Sequence, residues 1–250
     1  MRISAVGATD PGPRDKNEDA MGVGGASFAY TSGAGIFALK RVDATDVFLA
    51  VVADGAGGHP AGDQASRLIV DYLLSQTSRL IDRANVTAVV REANQTLHRH
   101  MAGRPDWLGM GSTVAMLAVH DGQGIVANVG DSPIYEIDSQ GLIELSTPDN
   151  PERPEWMSSN VKISAVTQLL GGHREPREIA PHVTRFPISA DTTFLLCSDG
   201  AVEALPEQAI MAISTGVAPT ARAGALVDAA VQRGTDNATA IFITLDEIDR

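Results

Sequence analysis

Short apolar stretches alternate with polar, glycine-containing breaks along much of the chain. Residues 47–53, 113–119, 124–129, 134–137, 193–197 and 239–245 are apolar and rich in Val, Ile and Phe. That composition suits a pleated, buried surface, and each stretch predicts a β-strand. His120-Asp121-Gly122-Gln123 joins the second to the third, and Asp138-Ser139-Gln140-Gly141 joins the fourth to a further apolar run at 142–145. Tight glycine-containing turns between apolar runs predict antiparallel hairpins. A longer period appears elsewhere. Ala65, Leu68, Ile69, Tyr72, Leu73 and Leu80 recur at helical spacing after Pro60, and Val86, Val89, Val90, Ala93, Leu97 and Met101 do the same, predicting two amphipathic helices. A third helix is predicted over about 220–233, with Leu226, Val227, Ala230 and Val231 inward and Gly234 as its stop. Adjacent helices followed by a meander of strands point to an α+β architecture, not to a regular βαβ alternation.

Composition narrows the class. With 250 residues, 44% hydrophobic and 20% charged, the chain can bury one large core, and residues 1–250 are expected to form one domain. Disorder is excluded, because low hydrophobicity with high charge is missing. The apolar run 47–53 falls far short of the ~20 residues that cross a bilayer, so no membrane partner is expected. The first residues show no sustained apolar segment, and the single Cys197 allows neither an intramolecular disulfide nor a cysteine-built zinc site. The expectation is a cytoplasmic monomer. Nineteen Lys and Arg against 31 Asp and Glu give a net charge of −12, which argues against a nucleic-acid partner because phosphates would be repelled. Prolines 148, 151 and 154 break regular structure over 148–159, which predicts a surface loop inside the domain.

The acidic residues are placed in a pattern. Asp54 ends the apolar run before Gly55, Asp131 ends the run before Ser132, Asp199 follows a third run before Gly200, and Asp236-Asn237 opens a fourth. Singly, each Asp is ordinary turn chemistry. As a set, strand ends can deliver them to one rim of a sheet, where carboxylates would repel and raise each other's pKa. Divalent cations are the simplest compensation. Carboxylate and carbonyl oxygens suit Mg²⁺ or Mn²⁺, and such a rim is what a two-metal site needs.

Arg14-x-x-Asn17-Glu18-Asp19, Asp54-Gly55-x-Gly57-Gly58-His59, Gly111-Ser112-Thr113, Gly130-Asp131-Ser132, Ser198-Asp199-Gly200 and Asp236-Asn237 resemble, in order and spacing, the motifs of the metal-dependent protein phosphatase family, the protein phosphatase 2C type, in its bacterial branch. The resemblance implies a four-layer αββα sandwich, two antiparallel β-sheets packed face to face and flanked by helices. It implies hydrolysis of phosphoserine and phosphothreonine in proteins by a metal-bridging water, with a Ser/Thr kinase and its targets as natural partners. It also implies roles. Asp54 would bridge two ions, Gly55 would add a carbonyl to one, and Asp199 and Asp236 would hold the other. Glu18 would bind the second ion directly or through water, and Asp19 would support the bound waters. Asp131, with Asp199, would offer a third metal site, and Arg14 would grip the substrate phosphate bidentately. A phosphatase of small molecules and a non-catalytic partner-binding member of the fold are the alternative readings. The retained carboxylates weigh against the second.

The chain departs from the family pattern in three places. Pro133 follows Gly130-Asp131-Ser132 where Arg is common. Ala56 stands where eukaryotic members carry a His proposed as general acid, which leaves a metal-bound water or another residue such as His59 to protonate the leaving group. The flap between the Gly-Asp-Ser and Ser-Asp-Gly motifs is short, cut down to about 148–164, with Trp156 as a candidate substrate contact. Other features read as structure. Pro60 breaks the glycine spacing of a dinucleotide loop, and Asp63-Gln64 replaces the Lys-Ser/Thr of a P-loop. His98 and His100 are expected on a solvated helix face. His120, His173 and His182 are expected in loops, and Trp107 and Trp156 as packing anchors.

Overall fold

A computed structural model of the chain describes residues 2–24, 29–32, 35–43, 46–56, 61–152 and 165–246. Among these residues the strands form two six-stranded antiparallel sheets and one short pair. The first sheet contains β1 (Arg2–Asp10), β4 (Gly35–Asp43), β9 (Ile134–Ile137), β10 (Leu142–Glu144), β13 (Thr192–Cys197) and β14 (Ala238–Asp246), in the order β10-β9-β13-β14-β1-β4. The second contains β2 (Asp19–Gly24), β3 (Ala29–Ser32), β5 (Phe48–Asp54), β7 (Val114–His120), β8 (Gln123–Val129) and β12 (His182–Pro187), in the order β12-β8-β7-β5-β2-β3. β6 (Gly111–Ser112) pairs with β11 (Leu170–Gly171). The helices are α1 (Gly62–Ser75), α2 (Arg83–Met101), α3 (Glu207–Gly216) and α4 (Arg222–Val231).

Three apolar clusters stack these elements into four layers. The strands alternate, so each face of a strand enters a different core. Along β5, Leu49, Val51 and Ala53 meet α1 and α2, while Phe48, Ala50 and Val52 meet the facing sheet. Along β14, Ile241, Ile243 and Leu245 enter the central core, and Ala240 and Phe242 pack with Leu226, Val227 and Ala230 of α4. A strand covered on both faces reads as a continuous apolar run, which is why β5, β7 and β14 stand out in the sequence. The expected αββα sandwich is the observed architecture. No helix among the described residues is long and apolar enough to cross a membrane.

Local chemistry explains the boundaries. The β7–β8 hairpin closes through Asp121 and Gly122, at φ 47° and 69°, the left-handed pair that two-residue hairpins favour. Asp82 caps α2, its carboxylate accepting the Asn85 amide at 2.8 Å. Leu80 is buried but lies beyond α1, which stops at Ser75 and passes into a 3₁₀ turn at Thr77–Arg79. The third expected helix begins at Arg222 after a separate turn at Pro219–Ala221, and the Gly234 amide closes onto the Ala230 carbonyl at 2.7 Å.

Some side chains differ from expectation. His120 ends β7 and His182 opens β12, so neither is a loop residue. His182 Nε2 is drawn into the sheet by Asp149 Oδ1 at 2.8 Å. His98 is half-buried, with both ring nitrogens shut off from solvent, because the segment after β11 lies over this part of α2. Trp107 packs against the α1/α2 core, with the Arg104 guanidinium stacked 4.1 Å from its ring centroid. Trp156, His59 and most of the shortened flap lie outside the described residues.

Candidate active site

Antiparallel pairing decides where the acids go. β2 and β5 pair in register Asp19↔Asp54, and β1 and β14 pair in register Asp10↔Ala238. The end of β5, the start of β2, the end of β8, the end of β13 and the start of β14 therefore share one end of the sandwich. A cleft of about 780 Å³ opens there, and Arg14, Asp54, Asp131, Asp199 and Asp236 all line it. These side chains come from five separate chain segments.

Arg14 ties its own segment to that of Asp236. Its Nε donates to the Thr235 carbonyl at 2.9 Å and its Nη2 to Asp236 Oδ2 at 2.8 Å. Both partners of this ion pair are about half exposed, at 50% and 46%, so the pair adds little stability. It does hold the guanidinium at the cleft, with Asp236 neutralised.

Asp19 lies beneath the cleft. It is 1% exposed. The Ser198 hydroxyl donates to its Oδ2 at 2.7 Å, while Oδ1 is buried with no partner among the described residues. Burial pushes its carboxyl up to about 7, with Asp199 and Asp236 adding to the rise and the nearby Thr239 and Ser198 hydroxyls opposing it. Burial also holds Asp54 well above the ordinary carboxylate range, and the charges of Asp19, Asp199, Asp236 and Asp131 push the same way. Glu18 sits apart from the cleft lining, beside the start of α1. Its carboxyl is raised first by burial and then by Asp63. Gly55 is pinned by its amide to the Glu18 carbonyl at 3.0 Å and bridges Ser112.

Polar residues outside the acidic pattern hold this end together. Asn237 is the main tie: its Nδ2 donates to the carbonyls of Pro11 and Lys16, both at 2.8 Å, and its Oδ1 accepts the Glu18 amide at 2.8 Å. The Thr113 hydroxyl accepts the Asp54 amide at 3.0 Å and bonds Ser132 at 2.6 Å. Thr9 and Thr239 pair across β1 and β14 at 2.6 Å. Gly200 packs so close to the Asn237 carbonyl that a Cβ there would overlap it, which accounts for glycine after Asp199. Glu203 and Arg233 also line the cleft. Sequence reasoning passed over Thr9, Glu203 and Arg233, since nothing local marks them.

Asn237→Ala should therefore loosen the 11–18 arm that carries Arg14 and Glu18. Three lost hydrogen bonds, one of them to the otherwise unpartnered Glu18 amide, should cost about 1–3 kcal/mol in urea unfolding. Unchanged stability would mean that the arm is held by other contacts.

The donor set tests whether hard cations belong here. It consists of carboxylate oxygens, one of them an orphaned buried oxygen of Asp19, with Arg14 neutralising Asp236. Among the described residues, no three His, Cys, Asp or Glu side chains close into a ready-made metal-binding group, so the acids form an open rim. The chemistry fits a hard divalent ion, which would offset the burial and the repulsion that raise Asp54.

The sequence profile of protein phosphatase 2C matches residues 36–230. The chain belongs to the protein phosphatase 2C family. Its 2C-family relatives include the serine/threonine protein phosphatase PstP of Mycobacterium tuberculosis, 28% identical over 219 residues, which cover 80% of this chain and 41% of PstP. The chain thus spans well under half the length of that relative. The serine/threonine phosphatase stp of Listeria welshimeri is 30% identical over 173 residues, covering 64% of this chain and 68% of the relative. The crystal structure of the Mycobacterium tuberculosis PstP aligns with a TM-score of 0.79 over 99% of this chain and 100% of that one, at 24% identity. A second PstP structure, of the catalytic domain with two manganese ions, aligns at 0.75 and 23% identity, over 99% of this chain and 100% of that one. These two likenesses show that the 2C fold is shared.

Proposed function

We propose that this chain is a metal-dependent protein serine/threonine phosphatase, a monomer that acts in the cytoplasm on phosphorylated proteins, with a Ser/Thr kinase and its targets as partners. The observation that carries the reading is the cleft itself, where four aspartates and one arginine from separate segments converge. Family membership and the serine/threonine phosphatase names of the relatives support it, and the manganese in the PstP catalytic domain supports Mn²⁺ or Mg²⁺ as the ion.

Asp54, the Gly55 carbonyl, Asp199 and Asp236 would hold two ions, with Glu18 contributing to one of them. Asp131 and Asp199 would hold a third. Bound cations would supply charge neutralisation and a more acidic water. The chain's own residues do the rest. Arg14 already stands at the cleft, held by the Thr235 carbonyl and Asp236, and it would orient the phosphoryl oxygens. Asp19, fixed by Ser198 beneath the cleft, would support the bound waters as a buried negative charge under the acidic rim. Ala56 lines the cleft and carries no proton, so the leaving oxygen would take its proton from water in this open site. The breadth of the cleft suits a phosphorylated side chain on a polypeptide better than a small enclosed substrate.

The test is hydrolysis of a phosphothreonine peptide and of a sugar phosphate by the purified chain, with EDTA and then with Mn²⁺. Metal-dependent kcat/KM strongly favouring the peptide is expected. Preference for the sugar phosphate would move the reading to small molecules, and no hydrolysis of either would leave a binding protein. Arg14→Ala should weaken competitive inhibition by free phosphate roughly 10- to 150-fold, the loss of ~1.5–3 kcal/mol of charge-assisted contact. Unchanged inhibition would remove Arg14 from phosphate binding.

A further inference from the structure

A second cavity lies away from the acidic cleft, between α2 and the segment after β11. It is an open surface pocket of about 230 Å³, and the exposed Arg91, Arg177 and Glu178, with Asn94, His98 and Ile179 deeper, are among its walls. Its volume has room for several water-sized groups. Asn94 is engaged at both ends of its amide: its Nδ2 donates to the Arg177 carbonyl at 2.9 Å and its Oδ1 accepts the Gly171 amide at 2.7 Å. The two guanidiniums are not. Arg91 spends Nε on the Ile179 carbonyl at 3.3 Å, and Arg177 spends Nη1 on His173 at 3.3 Å. Their remaining N–H groups have no partner among the described residues. Neither arginine makes an ion pair with Glu178.

His98 is the second, independent sign. Both of its ring nitrogens are buried without a partner among the described residues, although every neutral imidazole must carry one N–H. A buried donor without an acceptor costs stability. A half-turn of the ring exchanges each nitrogen with a carbon, so a ligand in the cavity offering an acceptor would give that N–H the partner it lacks. Burial, with His173 nearby, pushes the imidazole below its usual value. A neutral ring would offer its one N–H to a ligand alongside two permanent cations.

We propose that this cavity is a second binding site, for inorganic phosphate, with Arg91, Arg177 and His98 donating to its oxygens and Glu178 accepting its hydroxyl proton. Phosphate near pH 7 carries a P–OH that a carboxylate can accept from, whereas sulfate carries none and would face Glu178 as a bare repulsion. A phosphate monoester dianion lacks that proton as well. Binding does not depend on the catalytic reading, although the proposed reaction would be a source of the ligand. The site is tied to the cleft through structure. Asn94 holds Gly171, the Gly172 amide donates to the Met110 carbonyl at 2.8 Å, and the Ala56 amide donates to the Gly111 carbonyl at 2.9 Å. Ala56 lines the acidic cleft, two residues after Asp54.

The test follows the His98 ring by NMR in the full chain, labelled at histidine and loaded with Mg²⁺, during titration with inorganic phosphate. Saturable shifts of the His98 signals are expected. Arg91→Ala and Arg177→Ala should each weaken that response about tenfold or more, while hydrolysis of p-nitrophenyl phosphate remains. Sulfate should bind more weakly, and Glu178→Gln should narrow the difference. His98 signals that stay still at millimolar phosphate, or shift alike in the arginine variants, would overturn the site. Equal affinity for sulfate would overturn the role of Glu178, and tighter binding of a phosphoserine peptide would overturn the choice of free phosphate. Failure to hydrolyse any phosphopeptide would count against the catalytic reading alone, because the His98 response does not pass through it.

Discussion

Asp54→Asn should lose turnover on p-nitrophenyl phosphate by roughly a thousandfold or more while the metal-free protein becomes more stable. The two effects have one cause. Asp54 ends β5 where burial first, and then four other carboxylates, raise its pKa, so in the absence of cations its charge is a burden on the fold. Asparagine keeps the shape and removes the charge. The relief should be on the order of 1–2 kcal/mol, seen as a higher melting temperature in EDTA. With Mg²⁺ or Mn²⁺ the order reverses. The wild type gains stability by mass action as the ions bind, and the variant, short of an anionic ligand, gains less. Loss of the metal-organised chemistry removes several kcal/mol of transition-state stabilisation, and ~4 kcal/mol corresponds to about a thousandfold in rate. Near wild-type turnover with metal bound would show that Asp54 is not the bridging ligand. Lower stability in EDTA would show that repulsion is not what the cation relieves.

Metal-free protein should also lose stability as pH rises from 5 to 8. The sign follows from Asp19, whose carboxyl lies near 7 in the folded chain against an ordinary 3.8. Between those values the folded state binds the proton and the unfolded state does not, so unfolding releases it and stability falls with rising pH. Below the ordinary value both states are protonated and nothing is lost. Above about 7 the penalty is complete. At ~1.4 kcal/mol per pH unit the full span is at most on the order of 4 kcal/mol, and Asp54 acts in the same direction. Glu92, held down to about 2 by Arg79 and Tyr72, titrates below this range. His98, whose imidazole is pushed down by burial, works in the opposite sense below its ordinary value. The comparison is therefore made against Asp19→Asn. Urea unfolding in EDTA at pH 5 and pH 8 should show the fall in the wild type and a much smaller one in the variant. Saturating Mg²⁺ should flatten it, because bound cations keep the carboxylates ionised. Equal slopes in both proteins would show that Asp19 is not the group responsible.

Much of this molecule is written in local patterns. β5, β7, β8, β13 and β14 are buried on both faces, so burial shows as an uninterrupted apolar run whatever the neighbours are. α1, α2 and α4 each bury one stripe, and 3.6-residue periodicity reports that directly. Glycines and aspartates at the strand ends mark the candidate ligands, because the chain must turn where it delivers them. Asp54, Asp131, Asp199 and Asp236 were legible as a set and Arg14 only through the family resemblance, and the structure brings all five to one cleft.

Other features have no local signature. β1 reads Arg-Ile-Ser-Ala-Val-Gly-Ala-Thr-Asp, and β2 reads Asp-Ala-Met-Gly-Val-Gly. Small residues dominate both, since β1 is enclosed by β14 and β4, and β2 by β5, β3 and the helix above. Space for a small residue exists only once those neighbours are in place. β12 mixes polar and apolar residues because it is an edge strand, and α3 follows a proline with a weak stripe. Strand-end position alone could not separate the acids by depth. Asp19 and Glu18 are adjacent, yet one is sealed under the cleft by Ser198 and the other stands beside Asp63, because successive residues entering a strand point to opposite faces. The sequence by itself determined which elements form and which acids they carry. Tertiary pairing decided which acids share a charge environment, since repulsion and burial arise only when separate segments are packed together, and the Arg14–Asp236 contact joins residues 222 positions apart.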